Sequence, residues 1–567
     1  MNAFSQISRW LRERWISNLH GLSVLGCAAV ASVLAALPFV VDVPSHSYHV
    51  DEDYWIHQSY YYRLFFKEHN FTSSEWARHD PIYTGPMARY VIGFGIELSG
   101  IDFKPTVNDL NSWWPSNEHL PEKSPRLSPQ VLHAGRMTCA VMGAAAALLL
   151  FFLGYVVSGR LAGIFVSLFF ACNPLVLSIC RHAMADATLL FFITAAVLFQ
   201  ALLLMRLRDP RKHWLFLIVL AIAESLAIGC AVGTKFNGAL VSLAFVLSMV
   251  VASVAFAAHP RPGAESQNRK LWKRFLGSAG VLLFAVFVGL ASFGVFVFFN
   301  PYLHTSPIDH TRELYAVTTK ELQQAFNAFP EDRLKTLGEK ADYVWREVCL
   351  GRNMFLPQSI SQWFNGTLVV IGALFLTCKV MVTLWRRRPG GELIVWAWVV
   401  VASCGVIYWI PVHWDRYLTP LLPCSSVVSG MALAEILKFV HVKVARLLSV
   451  GTNPSPSLLG IVPTRLTIVA TAITTAAIVF GLWRRTGIEV PPPRTAAQTP
   501  TNEIPKTPPS ATTSGASEKS ITKTSTPRAP QPAETTSKFS LPSAPPPVVK
   551  LQPSTQPQVA PQSQLKQ

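Results

Sequence analysis

Hydrophobic positions in this chain gather into long windows free of charge, separated by short polar runs and two longer loops. A membrane-crossing helix needs about 20 mostly apolar residues, and windows of that length occur at roughly 21–42, 134–157, 161–180, 185–205, 213–233, 236–258, 276–299, 363–385, 392–411, 417–440 and 465–483. The pattern predicts an all-α integral membrane protein with about 11 transmembrane helices. The first window follows Arg9, Arg12 and Arg14 as a signal peptide would, but its length and the ten windows behind it read as a retained anchor. No repeat of fixed period is visible.

Basic residues in the short loops orient the helices. With residues 1–20 cytoplasmic, the inner loops hold Arg206, Arg208, Arg211 and Lys212, then Arg261, Arg269, Lys270, Lys273 and Arg274, then Arg386 to Arg388, then Lys438, Lys443 and Arg446. The short outer turns carry a single cation each: Arg181, Lys235 and Arg416. Arg484 and Arg485, just past the last window, depart from the pattern. The membrane domain is expected to run from 21 to 483, with long outer loops at about 43–133 and 300–362. From 484 to 567 Pro, Ser, Thr and Gln dominate, a composition that buries no core and predicts a disordered tail on the outer side.

Composition agrees with this reading. Half of the 567 residues are apolar and 14% are charged, against about 25% charged in ordinary soluble domains, and the mean hydropathy is +0.33. Soluble enzymes and disulfide scaffolds are excluded. Eight of the nine cysteines lie in or beside apolar windows, where they act as small hydrophobes. The net charge of +17 is scattered between apolar segments, which is the footprint of topology and not of a nucleic-acid partner.

Polar groups at the edge of a membrane bundle are costly to keep and are therefore the candidates for chemistry. Asp51-Glu52-Asp53 follows the first window and precedes Tyr54, Trp55, Tyr60, Tyr61, Tyr62, Phe65 and Phe66, which predicts an interfacial helix holding carboxylates at headgroup depth. A solvated acidic loop is the plain alternative. A second interfacial helix is predicted over Pro86 to Gly95, apolar but too short to span. In the turn Arg181-His182-Ala183-Met184-Ala185-Asp186, Asp186 reads as opening a helix, with His182 one turn before it on the same face. Gly229, Gly233 and Gly238 flank Lys235, so backbone can approach a ligand there and an ammonium can meet a phosphate; a lysine extending to the interface fits equally. Arg416, in His413-Trp414-Asp415-Arg416-Tyr417, either takes a phosphate or pairs with Asp415. Glu224, alone inside a window, reads as a packing group. A divalent metal stays open: His46, His49 and Asp53, with their neighbours Asp51, Glu52 and His57, lie close in sequence, in a spacing that matches no fixed ligand pattern.

Taken in order, these motifs resemble the polytopic C-type glycosyltransferases, the superfamily of the dolichyl-phosphate-mannose protein mannosyltransferases and the lipid A aminoarabinose transferases. Asp51-Glu52 matches the superfamily's Asp-Glu pair, and His79-Asp80-Pro81-Ile82 resembles its His-Pro-Pro-Leu segment, departing from it at Asp80. Arg136-Met137-Thr138 resembles Arg-Leu-Pro, and Arg181 to Asp186 resembles an Arg followed by an Asp. Gly229 to Lys235 resembles Gly-Leu-Ala then Lys, and Arg416-Tyr417 with Pro420 resembles Arg-Tyr-Pro. The resemblance implies transfer of a sugar, with inversion, from a polyprenyl-phosphate donor to a protein or glycolipid acceptor. The site would face the outer or lumenal side of a plasma, inner or endoplasmic-reticulum membrane. It implies Asp51 as general base, Glu52 as an orienting group, and Lys235, Arg416 and Arg136 on the donor phosphate. Asp186, Arg181, His182 and His79 would support the site. Two other classes compete: a lipid-linked sugar flippase, which would keep polar residues at mid-membrane in paired half-repeats, and a scaffold whose Pro-rich tail recruits partners.

The topology is testable. Membrane-impermeant thiol reagents applied outside intact cells should label cysteines engineered at Ser73 and Thr318 and spare one at Gln267; labelling at Gln267 would overturn the arrangement of the spans.

Overall fold

The computed structural model describes residues 26–41, 43, 48–105, 127–208, 214–257, 267–351, 358–386 and 388–448. Residues 1–20, the window at 465–483, the tail from 484 and His46 lie outside them. Among the described residues eight helices are long and apolar enough to cross a membrane: Pro129–Ser158, Ala185–Leu207, Trp214–Val232, Phe236–Ala255, Ser278–Phe298, Ile360–Trp385, Gly391–Trp409 and Asp415–Val440. Each coincides with a window read from the sequence. The first window contains a shorter apolar helix, Gly26–Val40 (α1).

The window at 161–180 is not one straight helix. It is a pair, Arg160–Ala171 and Pro174–Arg181, bent by 62°. The cause is local: Pro174 lacks the N–H that would continue the first helix, and the Asn173 side chain accepts from the N–H groups of Leu175 (2.9 Å) and Val176 (3.4 Å) to start the second. His182 to Met184 form a bend before the next helix begins at Ala185, so His182 and Asp186 do not share a helical face. The expectation that they do fails because the chain turns there instead of winding on.

The aromatic segment after α1 forms two short helices, Val50–His57 (α2) and Tyr60–Phe66 (α3), and the second short apolar stretch forms Met87–Leu98. Tyr61, Phe65, Trp76 and Tyr90 pack these pieces into one aromatic cluster. Arg89 stitches them together from the inside. Its guanidinium donates to the Thr84 carbonyl (2.9 Å), the Thr84 hydroxyl (2.7 Å) and Gln58, and lies over the Trp55 and Tyr61 rings. The Met87 N–H donates to the Gly233 carbonyl at 3.0 Å, joining this helix to the Lys235 turn. Gly85 makes that approach possible, because a Cβ there would run into the same carbonyl.

The second long loop is also helical, with Pro307–Ala328 and Leu337–Val344. Arg333, between them, forms a single antiparallel bridge with Val412, past the end of Gly391–Trp409; no longer strand occurs among the described residues.

Candidate active site

The ends of α1, Pro174–Arg181 and Trp214–Val232 meet the starts of Pro129–Ser158, Ala185–Arg208 and Leu422–Leu448, and α2 lies across them. α2 owes its start to a reciprocal cap. The His49 side chain accepts from the Asp51 N–H (3.1 Å), while the Glu52 carboxylate accepts from the His49 N–H (3.0 Å). This turns Asp51 and Glu52 toward the bundle.

Glu52 is fully buried. The Arg136 guanidinium donates to both of its oxygens at 2.7 Å, and the Ala183 N–H adds a 3.0 Å bond. Burial alone would raise the Glu52 pKa; the bonds from Arg136, His49 and Ala183 outweigh it and hold the carboxyl below its ordinary value. Arg136 also donates to the Val43 carbonyl at 3.4 Å. With its side chain 3% exposed, Arg136 presents little surface to a ligand.

Asp51 pairs with Arg416, across 365 residues of sequence. Arg416 therefore does not pair with its neighbour Asp415, whose carboxylate accepts instead from the Tyr343 hydroxyl at 3.1 Å. The Lys235 ammonium donates to Asp186 at 2.7 Å. A residue that the sequence reading did not single out connects the two pairs: the buried Thr419 hydroxyl lies 2.9 Å from Asp186 Oδ1 and 2.7 Å from the Arg416 carbonyl oxygen. The Asp51–Arg416 and Lys235–Asp186 pairs are thus linked, the Glu52–Arg136 pair adjoins them through α2, and Lys235 and Arg416, with side chains 20% and 35% exposed, are the cations that keep an open side.

The supporting residues sit around this network. Arg181 donates to the Pro38 carbonyl and ties the bent pair to α1. His182 bonds the Ser178 carbonyl at 2.8 Å, and its ring lies 5.4 Å from that of His49. His79 opens a short helix, His79–Tyr83, and its side chain lies outside the described residues. Of the metal candidates, His49 caps α2, Asp53 faces His57 at 4.0 Å, and His46 lies outside the described residues. Among the described residues no group of three or more His, Cys, Asp or Glu is arranged to hold a metal ion.

The sequence profile of the dolichyl-phosphate-mannose-protein mannosyltransferase family matches residues 75–300, which include Arg136, Asp186 and Lys235. The chain is similar to polytopic C-type glycosyltransferases of the mannosyltransferase kind. Among curated proteins no match is found. Three solved structures are similar. One is the archaeal oligosaccharyltransferase AglB from Archaeoglobus fulgidus in complex with an inhibitory peptide and a dolichol-phosphate, 13% identical over 83% of this chain and 56% of that one (TM-score 0.43). Another is ArnT from Cupriavidus metallidurans bound to undecaprenyl phosphate, 16% identical over 82% and 75% (TM-score 0.42). The third is the S. cerevisiae protein O-mannosyltransferase complex bound to its sugar donor, 18% identical over 52% and 34% (TM-score 0.33). The chain spans about half the length of the archaeal enzyme, at 56%.

Removing one partner of a buried ion pair typically costs about 3–5 kcal/mol, so Glu52→Gln and Arg136→Met should each lower the thermal midpoint of the detergent-solubilised protein. The lowered Glu52 pKa sets the sign with pH: its contribution is complete above the unfolded value of 4.5 and is lost as pH falls through the lower folded value. Below about pH 4.5 the parent midpoint should therefore fall more steeply than that of Glu52→Gln, read by a pH series of melting curves.

Proposed function

We propose that this protein is a polyprenyl-phosphate-sugar-dependent glycosyltransferase, with Asp51 as general base and Lys235 and Arg416 as the cations that take the donor phosphate. The observation that carries the reading is the coupled set Asp51–Arg416 and Lys235–Asp186, joined through Thr419, with two partly exposed cations beside a carboxylate at one end of the helical bundle. The match of residues 75–300 to a family of mannosyl-transferring enzymes supports the same chemistry.

In this mechanism the donor phosphate engages the open sides of Arg416 and Lys235 and competes with Asp51 for the guanidinium. Freed from Arg416, the Asp51 carboxylate accepts the proton of an acceptor hydroxyl. The hydroxyl oxygen attacks the anomeric carbon from the face opposite the phosphate. The bond from that carbon to the phosphate oxygen breaks with inversion, and the polyprenyl phosphate leaves with the electron pair. Negative charge grows on the phosphate in the transition state, where the two fixed cations stabilise it most. Asp186 and Thr419 hold Lys235 and the Arg416 backbone in place. Glu52 and Arg136, buried against each other, position α2 and with it Asp51; we assign Arg136 this role in place of phosphate binding. The acceptor is a protein or glycolipid hydroxyl on the outer or lumenal face, and the sugar is a hexose or pentose.

Two measurements test this. Asp51→Asn keeps size but removes the basic oxygen, and with general-base catalysis typically worth about 10²- to 10⁴-fold the transfer rate should fall by that order while donor still binds. Transfer at the parental rate would move the base elsewhere. Lys235→Gln should raise the donor concentration needed for half-maximal transfer, at a cost of roughly 1.5–3 kcal/mol for one charge-assisted hydrogen bond, and an unchanged donor dependence would remove Lys235 from the phosphate site.

A further inference from the structure

The contacts that Arg416 makes on its other side lead beyond the catalytic assignments, into the second long loop. Its guanidinium carbon lies 4.7 Å from the centre of the Trp414 ring, within cation–π range, so one cation touches both the Asp51 carboxylate and an indole. Trp414 is in turn held from the loop. The Phe329 ring meets it edge-on at 4.9 Å, and on the chain's own side Tyr417 stacks parallel to it at 5.9 Å.

The backbone on either side is pinned as well. The Leu334 N–H donates to the Pro411 carbonyl at 3.0 Å, the His413 N–H donates to the Asp332 carbonyl at 3.0 Å, and the Tyr343 hydroxyl donates to Asp415 at 3.1 Å. Residues 329–343 thus grip the turn at 411–415 immediately before Arg416, through main chain and side chain alike. An arginine on a flexible stem loses rotamer freedom when it binds an anion, and a site that already holds it in place reduces that loss.

We propose that Trp414, braced by the second long loop, is a positioning residue that presents the Arg416 guanidinium to the donor phosphate. The inference rests on the phosphate role given to Arg416 above. The loop and the ionic site then form one binding unit: the loop sets the affinity for the phosphate through Trp414 without touching it.

The test uses the full-length protein in detergent micelles and measures the dissociation constant for undecaprenyl phosphate. Trp414→Leu should weaken binding roughly 3- to 10-fold, the range of a partly desolvated cation–π contact, and Trp414→Phe, which keeps an aromatic face, should restore most of it. Combined with Arg416→Gln, Trp414→Leu should add nothing further, because the indole acts only through the guanidinium. Tyr343→Phe deletes one hydroxyl and keeps the ring, so it should weaken binding in the same direction and by less, even if Trp414→Leu fails to fold. Equal affinity in Trp414→Leu and the parent, or additive losses in the double variant, would overturn the proposal. Failure of the parent itself to bind undecaprenyl phosphate would overturn the phosphate reading first, and this inference with it.

Discussion

A carboxylate withdrawn from water has to be matched by donors on every side, and Glu52 is the point where this chain meets that demand. Its partners come from three separate stretches: Arg136 at the start of one long helix, the Ala183 N–H in the bend before another, and the His49 N–H ahead of its own helix. Because the geometry works only when all three arrive together, the pair acts as a lock on relative position more than as a source of net stability. Everything proposed for the site follows from that lock. Asp51 is the next residue, so fixing Glu52 fixes the carboxylate beside it, and fixing the bend at Ala183 fixes Asp186 three residues on.

Around the lock, charges are balanced in pairs. Asp51 faces Arg416, Asp186 faces Lys235, and Thr419 bridges the two. Each charge in such a site already has a partner, yet two of its cations keep an open side. In the proposed mechanism an entering phosphate meets cations that are already placed and has only the Asp51–Arg416 pair to open, a preorganisation that favours electrostatic stabilisation of the departing phosphate. In the proposed mechanism the base starts out tied to Arg416, and the donor would loosen that tie as it binds.

Much of the architecture was legible in the sequence because lipid imposes a simple rule on length and hydropathy. Eight long helices overlap the predicted windows, and the two short helical regions of the first loop follow from aromatic and apolar runs too short to span. The break at Asn173-Pro174 was missed, because the window at 161–180 averages hydropathy over it, although a capping residue followed by proline inside an apolar run was a signal for it. Pairing was not legible. Asp51 and Arg416 are 365 residues apart, and nothing local says that Arg416 chooses Asp51 over the adjacent Asp415. Thr419, Arg89 and Trp414 stood out still less, since a threonine, an arginine or a tryptophan near a helix end has many ordinary uses and only the packed structure shows which partner each one meets.

The central claim is that the network around Asp51, Asp186, Lys235 and Arg416 receives a polyprenyl phosphate. The most direct measurement is a cryo-electron microscopy structure of the full chain with undecaprenyl phosphate bound. The account predicts the phosphate in hydrogen-bond reach of both Lys235 Nζ and the Arg416 guanidinium, with Asp51 separated from Arg416. A phosphate seated elsewhere, with the Asp51–Arg416 and Lys235–Asp186 pairs intact, would contradict it.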